Sequence, residues 1–247
     1  LHSFPTRRSS DLRFKEIFNW NLPGFTQIPF GDIDAFRKVA DENTAAVIFE
    51  TIPATAGILI PPKGFLSEVR EICDEKGIIM IADEVQAGLG RTGQLWGIYG
   101  GLYPDEKVIP DIMVLAKGMS SGVYPLATCS YKPYIEEIFH GDPFLHISTT
   151  GGAEIGCYIA QKMLDIITAG AFLANVRSRG KQLESGLLDI QSQFPTLVKE
   201  IRGRGLMYGL ELPNDRYGAG YTLAMIKNGI FADYCGNNEK SIKLMPP

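Results

Sequence analysis

Two ionisable residues, Asp83 and Lys117, each follow a short apolar run that contains no charge. The runs occupy residues 78–82 and 112–116. Charge-free apolar runs of this length are typical of strands that are buried on both faces of a parallel sheet. Because ligands bind at the carboxyl ends of strands in open α/β sheets, we expect Asp83 and Lys117 to face one pocket.

A carboxylate and a lysine amine in one pocket are the pair that pyridoxal phosphate requires. The lysine forms an imine with the cofactor aldehyde, and the carboxylate keeps the ring nitrogen protonated so that the ring accepts electrons. The plain alternative is that strands end in Asp or Lys where the chain reaches the surface, which explains most pairs of this kind. The sequence around the two residues is needed to choose between these interpretations.

The segments that contain both residues follow a family pattern. Residues 82–93 read Ala-Asp-Glu-Val-Gln-Ala-Gly-Leu-Gly-Arg-Thr-Gly, and residues 116–118 read Ala-Lys-Gly. Together they resemble the class III aminotransferases of the fold type I pyridoxal phosphate enzymes. The resemblance covers residues 13–247. It implies an α/β fold, with a mainly parallel sheet, helices on both faces and a smaller C-terminal α+β domain.

The resemblance also implies a role for each site residue. Lys117 would be a buried lysine that holds the cofactor as a Schiff base and then moves the proton between substrate and cofactor. Asp83 would pair with the ring nitrogen, Val85 would pack behind the ring, and Gln86 would hydrogen-bond the ring oxygen. Glu50 ends the preceding predicted strand and would line the substrate site.

Residues 148–152, Ser-Thr-Thr-Gly-Gly, are predicted to open a helix. A hydroxyl at a helix start is commonly an N-cap, and the same geometry also favours an anion. In the family pattern the threonine, here Thr149, reaches the cofactor phosphate of the neighbouring subunit. The resemblance therefore implies a homodimer with a shared active site.

Two departures from the family pattern concern the substrate. Members that act on α-amino acids have a glutamate five residues after the position of Glu50, and an arginine shortly before a Pro-Pro. This chain has Thr55 and Lys243 there, and lysine cannot make the bidentate contact that arginine makes with a carboxylate. We therefore hypothesise a diamine or ω-amine donor and a 2-oxo acid acceptor, with Lys243 as a candidate substrate residue.

Composition limits the partners and the compartment. The net charge is −4 and the isoelectric point is near 5.5, which argues against nucleic acid as the main partner. Four cysteines lack metal-ligand spacing and are interpreted as buried free thiols in a reducing compartment. No apolar run approaches the roughly 18 residues that span a bilayer, so we expect a cytosolic protein without a membrane segment or a metal site.

The chain is predicted to have three parts. Residues 1–12 show neither helical nor strand periodicity and lie outside the resemblance, so we interpret them as a non-native leader. Residues 13–170 would form the large cofactor-binding domain, and residues 171–247 the small domain. Family members begin upstream of residue 13, which predicts that this chain is a truncated fragment.

Residues 88–93 also match Gly-x-Gly-x-x-Gly, but a dinucleotide site is rejected. That fingerprint requires a strand ending directly at the glycines and a helix opening from them. Here four residues separate the strand from the first glycine, and the residues after Gly93 are a poor helix start. Two alternatives to transamination stay open, namely another pyridoxal phosphate reaction such as an aminomutase, and a truncated copy without catalytic activity.

Overall fold

The computed structural model describes residues 2–3, 24–142 and 144–247. Its first sheet has five strands, which lie side by side in chain order. They are β1 (His2–Ser3), β2 (Ala46–Glu50), β3 (Ile79–Asp83), β4 (Ile112–Leu115) and β5 (Thr128–Tyr131). Strands β1 to β4 are parallel and β5 runs antiparallel to β4. The mainly parallel sheet that the sequence predicts is therefore confirmed.

Six α-helices accompany the two sheets in the described part of the chain. They are α1 (Ile33–Val39), α2 (Phe65–Lys76), α3 (Glu137–His140), α4 (Glu154–Thr168), α5 (Ala171–Gln193) and α6 (Arg216–Lys227). Local signals set their ends. Asp32 caps α1 by accepting a hydrogen bond from the Ala35 amide (2.9 Å). Gly77 ends α2 in the left-handed region with φ 67°, which a residue without Cβ adopts at little cost.

The first sheet has one well-covered face. Phe49, Met80 and Ala82 are buried there, and they belong to the same core as Phe36 of α1 and Leu66 of α2. Each of the large side chains among them contributes roughly 1.5–3 kcal/mol when fully buried. This packing fixes the βαβ unit from β2 through α2 to β3.

The opposite face of the same sheet is only half-buried. Ile48, Ile81 and Val114 alternate with the core residues and lie on this face. The helices that pack on the sheet in the described residues lie on the face of Met80. Helices on the second face, which the family resemblance implies, are not among the described elements.

The second sheet comes later in the chain and is entirely antiparallel. Its spatial order is β6-β7-β9-β8, and its strands are β6 (Glu200–Arg204), β7 (Met207–Glu211), β8 (Asp233–Cys235) and β9 (Asn238–Leu244). Helix α6 packs on β8 and β9, and α5 packs on β6. Leu210, Leu212 and Ile242 form the centre of a separate core. Sheets with helices in both parts make the chain an α/β protein with a following α+β region.

Two sequence predictions about the chain's organisation stay predictions. The domain boundary at residue 170 lies between α4 and α5, where the chain passes from the first sheet toward the second. The leader at residues 1–12 lies outside the described residues, apart from the backbone of His2–Ser3, which pairs with β2.

The prediction that all four cysteines are buried is confirmed for Cys73 and Cys235 but is wrong for Cys129 and Cys157, which are exposed. Cys129 lies on the edge strand β5, which no further strand covers among the described residues.

Helices were also compared with the length of a membrane span. Within the described ranges no single helix is both long and apolar enough to cross a bilayer. Helices α4 and α5 reach that length and composition only as a pair, and they meet at a bend of 65°.

Candidate active site

Asp83 is the last residue of β3 and lies at the carboxyl edge of the first sheet. Its Cα is paired with that of Glu50 on β2 and that of Val114 on β4. The side chain is half-buried, and its Oδ1 accepts a hydrogen bond from the Val85 amide (2.9 Å). Among the described residues it forms no ion pair. The carboxylate is therefore oriented by the backbone while most of its capacity to accept hydrogen bonds is left for a ligand.

Lys117 begins a 3-10 turn (Lys117–Ser120) directly after β4. Its backbone lies in the left-handed region with φ 45°, which is costly for a residue with a side chain and recurs at functional sites. The predicted burial of this lysine is wrong for this chain, because Lys117 is exposed. Lys117 is exposed because it lies in a turn at the open edge of the sheet, after the last paired residue of β4, Leu115.

The structure places both residues at one edge of the sheet. Val114 is the Cα partner of Asp83, on a strand about 4.8 Å away, and Lys117 follows Val114 by three residues. The two strands are parallel, so their carboxyl ends coincide. The Asp83 carboxylate and the Lys117 amine thus belong to adjacent strand ends, and their joint binding of one cofactor stays a prediction.

Three further predicted site residues lie near this edge. Val85 and Gln86 are half-buried in the turn that follows Asp83. Glu50 is half-buried on the same face as Asp83, and its Oε2 accepts a hydrogen bond from the Ala54 amide (3.1 Å). Their positions are compatible with the predicted roles, which stay predictions.

Glu84 is a residue of this edge that the sequence interpretation overlooked. It is fully buried, with 0% exposure. Its carboxylate accepts hydrogen bonds from the Thr51 hydroxyl, the Gly97 amide (2.7 Å) and the Ile98 amide (2.9 Å). Burial raises the pKa of Glu84, and these hydrogen bonds oppose the increase. The signal was present in the sequence, because alternation along β3 puts residue 84 on the core side with Met80.

Residues 88–93 form turns and not the start of a helix. Gly90 and Gly93 both have φ 89°, a conformation that favours glycine. The loop touches the later part of the chain, where the Arg177 guanidinium donates to the Gly93 carbonyl (2.8 Å) and the Leu206 amide donates to the Arg91 carbonyl (2.9 Å). The helix that a dinucleotide fingerprint requires is therefore not found at these glycines, and the loop contacts α5 and the β6–β7 turn.

Thr149 lies in an exposed bend, and the helix predicted to follow its segment is present as α4, but Thr149 does not cap it. Helix α4 begins at Glu154, and its N-cap residue Ala153 has no side-chain cap. Gly152 adopts φ 70° and belongs to the turn that separates Thr149 from the helix. Within this chain Thr149 therefore has no helix start of its own, and its contact with a partner's cofactor phosphate stays a prediction.

Thr55 and Lys243 do not contact each other. Asn237 binds Thr55 twice, through its amide to the Thr55 carbonyl (3.0 Å) and through Nδ2 to the Thr55 hydroxyl (3.3 Å). Lys243 lies on β9, with its Nζ 3.7 Å from Oδ2 of Asp233. The two positions that pair in the α-amino acid members thus have different partners here.

The residues present fit pyridoxal phosphate. A ring N–H would find an acceptor in the Asp83 carboxylate, and an aldehyde would find an amine in Lys117, which forms no ion pair with any other described residue. Asp83 is half-buried and Lys117 is exposed, so both groups are accessible to an incoming molecule. This donor set, more than the shape of any cavity, carries the assignment.

Comparisons with known proteins agree with this geometry. A family model described as "Aminotransferase class-III" matches residues 13–247. An uncharacterised aminotransferase of Archaeoglobus fulgidus is 43% identical over 239 residues, which are 97% of this chain and 55% of that protein. This chain therefore spans about half the length of the curated relative it matches.

Two solved structures show the same fold. An ornithine aminotransferase of Toxoplasma gondii, described with partial occupancy of pyridoxal phosphate at its active site, has a TM-score of 0.78 at 28% identity and is matched over 92% of this chain and 52% of its own. An acetylornithine aminotransferase of Elizabethkingia anophelis has a TM-score of 0.80 at 31% identity, over 91% of this chain and 55% of its own. The fold is that of the fold type I aminotransferases, and the chain belongs to the class III aminotransferase family.

Proposed function

We propose that the protein is a pyridoxal phosphate-dependent aminotransferase that moves an amino group from an amine or amino acid to a 2-oxo acid. The observation that carries the proposal is the placement of Asp83 and Lys117 on adjacent parallel strand ends, each without an ion pair among the described residues. Unpaired charges at a ligand-binding edge are typical of a functional site. Membership of the class III family supports the same reaction class.

Each residue of the proposed site has a role that follows from its side-chain chemistry. The cofactor supplies an electron-accepting ring when it is bound. Lys117 would hold the cofactor through its Nζ atom, and the same amine would hold and return the substrate proton. The Asp83 carboxylate would accept a hydrogen bond from the ring N–H, and Val85 and Gln86 would contact the ring from the turn that follows β3.

We propose that the active enzyme is a homodimer. A long stretch between residues 123 and 166 exposes large apolar side chains, which in a monomer would face water. They include Val123, Ile138, Phe144, Leu145, Ile147 and Tyr158. Thr149 lies in the same exposed stretch, where a contact with the partner's cofactor phosphate would be possible. Light scattering of the purified protein tests this proposal, and a monomer at working concentration would contradict it.

The donor is proposed to be a diamine or ω-amine. Thr55 is bound by Asn237, and Lys243 is close to Asp233, so neither offers the paired glutamate and arginine that admit an α-carboxylate. Steady-state rates with a diamine and with 2-amino acids, using 2-oxoglutarate as acceptor, test the idea. Much faster turnover of 2-amino acids would contradict it, and activity that is independent of any oxo acid would favour an aminomutase.

The test of the proposed function is the cofactor absorption band in wild type and in Lys117→Ala. The wild-type protein should show a visible band that disappears in the variant, while circular dichroism shows that the fold persists. Because the relatives are longer, the experiment is run on the 247 residues and on a form extended upstream according to the genomic sequence. A band of unchanged position and intensity in Lys117→Ala would contradict the proposal.

We also propose that the protein is cytosolic, as the composition led us to expect. Fluorescence imaging of the tagged protein in cells would test this location.

A further inference from the structure

Glu84 is a buried carboxyl group that the proposed reaction does not use. Its side chain points to the core side of β3, opposite to that of Asp83. Among the described residues no cation contacts it, and its three partners are the Thr51 hydroxyl and the amides of Gly97 and Ile98. A buried carboxyl group without a cation costs free energy, so its presence calls for a physical reason.

The backbone of Glu84 adds two connections. Its amide donates to the Val114 carbonyl on β4 (3.0 Å), and its carbonyl accepts from the Gly88 amide (2.9 Å). The Thr51 amide also donates to the Asp83 carbonyl (3.3 Å). Glu84 therefore joins the ends of β2, β3 and β4 with the loop that follows β3.

The space around the carboxyl group is filled. A Cβ atom built on Gly97 would lie 3.0 Å from Oε1 of Glu84, and one on Gly88 would lie 2.8 Å from its carbonyl oxygen. Both glycines thus let the loop close around this one side chain. We expect a replacement that disturbs the carboxyl group to displace the loop, because Gly88 and Gly97 already lie close to Glu84.

We propose that Glu84 is a positioning residue that sets the direction of the Asp83 carboxylate. Asp83 is held by the Val85 amide, which lies between Glu84 and the loop. Hydrogen bonds hold both the backbone and the side chain of Glu84. They restrict the backbone from residue 83 to residue 88 to one conformation, in which Asp83 faces the cofactor site. This inference rests on the proposed function for its consequence, but the geometry it describes exists without cofactor.

The test compares variants with matched shapes. Glu84→Gln keeps the size but replaces one acceptor by an NH2 group, which cannot accept from the backbone amide, Gly97 or Ile98, that the lost oxygen bound. Thr51→Val removes the hydroxyl at constant shape, and Thr51→Ser retains it. Asp111→Asn is the control, because Asp111 is an equally buried carboxyl group at the opposite end of the sheet.

Two measurements are made on each variant. The first is hydrogen exchange of the Val85 amide in cofactor-free protein, and the second is the dissociation constant for pyridoxal phosphate. We expect Glu84→Gln and Thr51→Val to exchange at least tenfold faster at Val85 and to bind the cofactor at least tenfold more weakly. Thr51→Ser and Asp111→Asn should stay within about twofold of wild type in both.

The inference would be overturned if Glu84→Gln and Thr51→Val destabilised the protein as Asp111→Asn does but left Val85 exchange unchanged. If Glu84→Gln did not fold, the Thr51→Val and Thr51→Ser pair would decide by itself. If wild type bound no cofactor, the proposed function would fail, whereas the exchange result would still decide whether Glu84 positions Asp83.

Discussion

The two ends of the first sheet carry similar residues in opposite electrostatic settings. At the amino end, Asp111 is 4% exposed and pairs with Arg70 (2.7 Å) and Lys132 (2.8 Å). At the carboxyl end, Glu84 is 0% exposed and has neutral partners. Asp83 and Lys117 at that end form no ion pair within the described ranges.

The pKa values of the two buried carboxyl groups show the consequence. Burial alone would raise the pKa of Asp111, but hydrogen bonds from Lys132, the Met80 amide and Arg70 outweigh burial and lower it. Burial raises the pKa of Glu84, because its donors are neutral. We infer that the ion pairs at the amino end stabilise the fold. At the carboxyl end, a carboxyl group is buried without a cation, which lowers the stability of the fold, and the residues beside it serve the reaction.

The largest expected difference between the two ends is in their lysines. Lys117→Ala should lower transaminase activity by at least about 1,000-fold, because the nucleophile and proton carrier is lost. Lys132→Ala should keep activity within about twofold and lower the free energy of unfolding by about 1 kcal/mol, because Lys132 is partly exposed. Initial rates and urea unfolding measure both effects. Comparable activity losses in the two variants would remove the distinction between the ends.

The next comparison replaces one carboxylate at each end of the sheet by an amide. Asp83→Asn should lower activity by about 100-fold or more with little loss of stability, since the residue is half-buried and unpaired. Asp111→Asn should lower the free energy of unfolding by about 3 kcal/mol, because it leaves Arg70 and Lys132 without their buried partner. A stable Asp111→Asn protein with low activity would contradict the assignment of this end to stability.

The pH dependence of stability should also separate the ends. The folded-state pKa of Asp111 lies below its unfolded value near 3.8, so its contribution is present above that pH and is lost as the pH falls through the folded pKa. The folded-state pKa of Glu84 lies above 4.5, so its contribution is present below that pH and is lost as the pH rises through the folded pKa.

Urea unfolding of cofactor-free protein at several pH values measures these slopes. As the pH falls below about 4, the free energy of unfolding should decrease less for Asp111→Asn than for wild type. Glu84→Gln should lose less stability than wild type as the pH rises above about 4.5. Parallel curves for wild type and both variants would show that neither carboxyl group is coupled to folding as described.

The smallest effect is expected away from both ends, at Lys243. Its Nζ lies 3.7 Å from Asp233 and both side chains are partly exposed, so this ion pair contributes about 0.5 kcal/mol or less. As a candidate substrate residue, Lys243→Ala should change KM for the amine donor by about threefold and leave kcat unchanged. A donor-specific loss greater than about tenfold would mean that Lys243 is central to substrate binding.

The sequence was sufficient for the elements that depend on local pattern. The apolar runs before Asp83 and Lys117 predicted β3 and β4, and parallel strands necessarily bring their carboxyl ends to one edge. Gly77 is likewise a local signal, because a glycine after an apolar helical stripe commonly ends the helix, as it ends α2. These features follow from periodicity and from the conformational freedom of single residues.

Features that depend on tertiary packing were missed. Thr51 and Glu84 come from separate strand ends, and their hydrogen bond follows from the strand register, which the apolar pattern alone does not give. The partner of Thr55 is Asn237, which is 182 residues away in the chain. No spacing rule predicts such a contact, because it depends on how the second sheet packs against the first.

Reduction of the cofactor-loaded protein with borohydride, followed by peptide mass spectrometry, tests the central claim most directly. The account predicts that the reduced cofactor is attached at Lys117 and that Lys132 at the other end of the sheet is unlabelled. A cofactor bound covalently at any other lysine, with Lys117 unmodified, would contradict it.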